Sequence, residues 1–131
     1  MEVKKSILSI AELIAEILEE DKTVAKMAKM SYPIIAPEKA VCPYVVYRLA
    51  NLYPRQTKDG PADTAEIEVM CCGANVEQMI KLSEAVREAL DGIQSVSNDG
   101  QLRMRACYLS GATEGWEAQT FYRTLKFIAR V

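Results

Sequence analysis

Glu66 and Glu68 stand two residues apart in a run that alternates with Ala65, Ile67, Val69 and Cys71. On a strand this spacing puts both carboxylates on one face, where they could serve as acid and base or hold a hard cation. An exposed sheet face with solvated acids is the plainer account of the same pattern. The chain has no histidine, so the commonest general base is missing and Ser-His or Cys-His nucleophile pairs are excluded. Cys42, Cys71, Cys72 and Cys107 show no CxxC spacing. With no histidine to join them they argue against a zinc site and read as small buried hydrophobes with free thiols. Of the adjacent pair, strand alternation expects one thiol in the core and the other outward. Gly73 belongs to neither GxGxxG nor GxxxxGK[ST], so no phosphate cradle is marked. No catalytic residue, metal ligand or cofactor is assigned.

What remains is surface for assembly. Trp116 stands among Gly111, Gly115 and Tyr122, where a tryptophan can anchor an interface or fold back as a lid on the core. Lys58-Asp59-Gly60 forms a second exposed turn candidate, followed by Pro61. Lys58, Asp59, Gly60, Gly111, Gly115 and Trp116 are therefore the candidate interface residues.

These positions have to be held by a framework, and the periodicities supply one. Ile7, Ile10, Leu13, Ile14, Ile17 and Leu18 recur at helical spacing opposite Glu12, Glu16, Glu19 and Glu20, which predicts an amphipathic helix over 6–20. A short helix over 24–30 follows, introduced by Asp21 or Thr23 as cap. Pro33, Pro37 and Pro43 make 32–43 an extended or looping segment. Strands are expected at 44–49 and 64–72, with a break at Pro54. Asn75 and Gln78 resemble a capping box for a helix over 76–90, with the stripe Val76, Met79, Ile80, Leu82, Val86 and Leu90 and a stop at Asp91-Gly92. After a polar loop over 95–101, strands at 102–109 and 119–131 flank a glycine-containing loop, 110–117. The expected fold class is α+β: a four-stranded antiparallel or mixed sheet with two main helices packed on one face. Its core should contain Ile14, Val46, Ile67, Val69, Val86, Leu125 and Phe127.

The 131 residues fit one domain, 1–131, and half of them are hydrophobic, enough for a core without staples. Sixteen basic and 18 acidic side chains are interspersed, which is not the footprint of a nucleic-acid grip. The opening Met1-Glu2-Val3-Lys4-Lys5 resembles a leader only superficially, because acidic residues interrupt the apolar stretch after it. With no apolar run of about 20 residues, no membrane span is expected, and the chain is expected to stay in the cytosol.

The ordered segments resemble the tail-completion (tail terminator) proteins of long-tailed bacteriophages. The resemblance rests on an N-terminal helix, Tyr32-Pro33 with Ala36-Pro37, Cys42-Pro43-Tyr44-Val45-Val46-Tyr47, and the turn Thr57-Lys58-Asp59-Gly60. It continues through the helix ending Glu84 to Gly92 and the closing strand Phe121 to Val131, introduced by Trp116-Glu117. It implies a non-enzymatic structural protein that forms a ring, commonly hexameric, capping the tail tube and presenting a surface to the head–tail connector. The partners would be further copies of itself, the tail tube protein and connector proteins, with no nucleic acid and no membrane. The chain would sit in the bacterial host's cytoplasm during assembly and then in the tail of a phage or prophage virion. The rival readings are a cytosolic protein–protein interaction module and a small enzyme.

Overall fold

Ser6 caps a 3-10 turn, Ile7–Ser9, by accepting from the Leu8 N–H, and the turn runs straight into α1, Ile10–Glu20. The computed structural model describes residues 4–131, so Met1-Glu2-Val3 of the leader-like opening lies outside the described residues. Ile10, Leu13, Ile14 and Leu18 are fully buried along α1. Asp21 caps α2, Lys22–Met27, accepting from the N–H groups of Thr23 and Val24. This helix ends earlier than the sequence pattern indicates, because Met30 already belongs to strand β1, Met30–Pro33.

β2, Tyr44–Tyr53, leads through the small hairpin of β3, Gln56–Thr57, and β4, Gly60–Pro61, into β5, Thr64–Gly73. Asn75 caps α3, Val76–Leu90, accepting from the Gln78 N–H while Gln78 Oε1 accepts from Ala74. Gly73 admits the helix start: a Cβ there would lie 2.6 Å from the Met79 backbone nitrogen. The expected stripe of α3 needs correcting at its first turn, where Val76 and Ile80 are exposed and Met79, Leu82, Ala85, Val86 and Leu90 are buried. β6, Ser95–Val96, and β7, Arg103–Met104, form another two-stranded piece, so the single strand expected over 102–109 is interrupted. β8, Ala106–Glu117, and β9, Thr120–Arg130, close the chain as a long hairpin.

The main sheet has five strands in the order β1-β2-β5-β9-β8, one more than expected. The extra member is β1, which joins β2 in parallel over Tyr44–Tyr47, while every other pairing is antiparallel. Helices cover one face only, over a core that includes Val45, Ala65, Ile67, Val69, Cys71, Leu125, Phe127 and Ala129. All seven expected core residues are buried. Val46, however, opposes Met70 on the face turned away from the helices. Cys72 lies on that face too, and it is 1% exposed rather than open to solvent. Its row neighbours Tyr44 and Tyr122 flank it and, with Tyr32 packed edge-on to Tyr44 at 5.8 Å, form a small apolar cover of their own.

The loop expected over 110–117 is instead the outer half of β8, and the turn of the last hairpin is Ala118-Gln119. Both turn residues have positive φ, 49° and 63°, the geometry of a two-residue hairpin turn that glycine or asparagine fits best. Replacing Gln119 with Gly should raise unfolding stability in denaturant titration by about 1 kcal/mol by removing the left-handed strain. A turn elsewhere in 110–117 would make the substitution neutral or harmful.

Candidate functional site

Lys58-Asp59-Gly60 and Gly115-Trp116 lie at opposite ends of the sheet, with Gly111 midway, in the row of Glu68. Lys58 and Asp59 form the exposed tip of the β3–β4 hairpin, closed by a 2.7 Å bond from Thr57 Oγ1 to the Gly60 carbonyl. That hairpin follows Tyr53 and precedes Thr64, which oppose one another at one end of the β2–β5 ladder. Trp116 and Gly115 share rows with Phe121 and Tyr122, which oppose Gly73 and Cys72 at the other end. No single site can contain both groups.

Trp116 is 62% exposed and leans on Phe121 with ring centroids 6.5 Å apart, so it is no lid on the core. Gly115 lets Tyr122 lie across the strand, since a Cβ there would come within 2.5 Å of the tyrosine hydroxyl. Gly111 has open space around it. Arg123, also in this part of the hairpin, is held by Glu114 at 3.0 Å and by the buried Ser83 hydroxyl of α3 at 3.0 Å. The groove between α3 and this hairpin, about 360 Å³, has Ser83, Arg87, Ala112 and Leu125 in its walls.

The uncovered sheet face carries every tyrosine except Tyr47, as the strand registers require. Glu66 and Glu68 lie there as expected, but both are engaged. Glu68 accepts from Arg48 at 2.7 Å, directly across the ladder, and Glu66 accepts from the Tyr53 hydroxyl at 3.3 Å. Arg130 stacks over Tyr108 with its guanidinium carbon 5.7 Å from the ring centre. These contacts tie neighbouring strands and leave the rings of Tyr53 and Tyr108 partly exposed, a composition suited to protein contact. Among the described residues no group of His, Cys, Asp and Glu is arranged to hold a metal ion. No helix is long and apolar enough to cross a membrane among them.

Two features of the sheet margins were not visible in the sequence. At the β2 margin, β1 stops at Pro33, where Ile34 turns away with φ 66°, its N–H donating to the Tyr47 carbonyl. A positive φ is costly for a β-branched residue, so the break is imposed by its surroundings. Beside it opens an apolar groove of about 470 Å³ between α1 and β2, with Leu8, Ile34 and Leu49 in its walls. At the β8 margin, the corner after α3 covers part of the edge. Gly92 N–H donates to the Cys107 carbonyl at 2.7 Å, and Leu109 N–H donates to Asp91 Oδ1 at 2.9 Å. The Leu109 bond, with Arg87 nearby, holds the Asp91 carboxyl below the usual carboxylate range. The only sequence signal for this corner was Asp91-Gly92, which reads as a helix stop.

No family model matches this chain, and no curated protein matches it. Among solved structures, a chain of the virion of a native gene transfer agent (GTA) particle has the same fold. The TM-score is 0.77 with 18% sequence identity, over 97% of this chain and 98% of that one. At this identity the likeness establishes the fold.

All four cysteines are free, and three of them are buried. Burial pushes the thiols of Cys72 and Cys107 up to about 11 and about 12, and that of Cys71 upward as well. A thiol reagent at neutral pH should therefore modify the half-buried Cys42 quickly and the others only after denaturant is added. Fast modification of more than one thiol in the native chain would contradict this packing. Trp116→Ala should leave unfolding stability within about 0.5 kcal/mol of wild type, because the side chain is mostly in water. A larger loss in the same titration would return Trp116 to the core.

Proposed function

We propose that the chain is a structural subunit of a phage-type particle, the tail-completion (tail terminator) component, acting as one unit over 1–131. The observation that carries this reading is the end-to-end correspondence of its fold with a chain of a gene transfer agent virion. The order of sequence motifs points to the same class, from the Tyr32-to-Pro37 segment to the closing strand. Open sheet margins, a tyrosine-bearing face and an exposed tryptophan provide contact surface, while Glu66 and Glu68 are engaged across the sheet and three of the four thiols are buried. In this reading copies of the chain form a closed ring at the end of the tail tube. The Lys58–Gly60 tip and the Trp116 end of the sheet then face opposite ways along the tail. One meets the tube protein and the other the head–tail connector, which fits their separation by the whole β5 ladder.

Deleting the gene from the element that carries it and imaging the particles by negative-stain electron microscopy tests the role. Tails of irregular length and heads left unjoined are expected. Uniform tails still joined to heads would remove the terminator role and favour a cytosolic interaction module instead.

A further inference from the structure

The two margins of the sheet have matching outlines. At one margin β1 protrudes over the rows of Tyr44 to Tyr47, and beyond it no strand among the described residues pairs with β2 from Arg48 to Tyr53 on that side. At the other, the Asp91-Gly92 corner covers β8 at Cys107 and Leu109, and beyond it β8 is bare from Gly111 to Glu117. Both steps fall on one row, since Gly111 opposes Lys126, Lys126 opposes Glu68 and Glu68 opposes Arg48. The protrusion at each margin therefore stands level with the recess at the other.

We infer that the bare half of β8, Gly111 to Glu117, pairs with the outer edge of β1, Met30 to Pro33, of a second copy, joining the copies head to tail. This rests on the assembly reading above and names the surfaces it uses. Direction agrees, because three antiparallel steps separate β2 from β8 and β1 is parallel to β2. A neighbour in the same orientation thus meets β1 in the antiparallel sense, the better-bonded arrangement. Level matching sets the rows: Gly115 shares a row with Met30, and Ala112 with Pro33. Trp116 then falls one row beyond Met30, on the helix side of the sheet, while Met30 itself lies on the uncovered face. In the recess above, the neighbour's Asp91-Gly92 corner faces the bare edge of β2 and the groove lined by Leu8, Ile34 and Leu49. A second copy supplies both halves of this fit from one chain. Because the two margins differ, the contact is heterologous, the kind that closes into a ring when the rotation permits.

The test is disulfide trapping in the full chain carrying Cys42→Ser. Ser31→Cys is combined in turn with Ala112→Cys, Glu114→Cys and Trp116→Cys, all on the helix side of the sheet by register. Circular dichroism checks each fold, and analytical ultracentrifugation follows association at the highest soluble concentration. At least one double variant should give a ladder of cross-linked multimers on oxidation. Mixing the corresponding two single variants should give dimers only, and either alone should give none. Self-association without any cross-link would overturn this pairing and leave the ring reading standing. A monomer that never cross-links would also overturn the pairing, while uniform tails after gene deletion would overturn the reading it rests on.

Discussion

Ala65, Ile67, Val69 and Cys71 alternate along β5 and are fully buried beneath the helical layer, and both flanking strands take their register from this one. Burying Ile67 and Val69 contributes about 2 kcal/mol each. A slip of one residue would turn those side chains outward and bring Glu66 and Glu68 under the helices. That penalty fixes the rows of β2 and β9, and through β9 those of β8. The Arg48 to Glu68 bridge, the seat of Tyr122 over Gly115 and the level of the steps at both margins are consequences of it.

Helices on one side only leave a sheet with a second face and two edges in contact with solvent. The second face is satisfied locally: tyrosines shield Val46 and Cys72, and cross-strand bonds engage the acids. The edges are satisfied only in part. β1 and the Asp91-Gly92 corner each close a few rows and stop, so the same framework that hides the core leaves backbone groups unpaired at both margins. Such edges can serve as templates for pairing with another strand.

The central parts of this arrangement were legible because their signals are local and periodic. The alternation over 64–72 and the Asn75 to Gln78 cap are read directly from neighbouring residues, and both stand as expected. The outer half of β8 was not legible. Ser110 to Gly115 has two glycines, no alternation and exposure on both sides, and only its pairing with β9, remote from any local preference, makes it a strand. β1 is four residues long and ends in proline, so it carries too little pattern to distinguish it from a loop. The candidate residues at 58–60 and at 115–116 are surface positions, but their placement at opposite ends of one ladder, with Gly111 midway, depends on register. The burial of Cys72 likewise comes from tyrosines on three different strands.

An integral part of a particle has a location there that is directly measurable. Cryo-electron microscopy of purified particles, with mass spectrometry of the same preparation, should find several copies of this five-stranded fold in a ring at the head-proximal end of the tail tube. Particles complete in head and tail but lacking the chain, with the protein recovered only from the soluble fraction of the host, would contradict it.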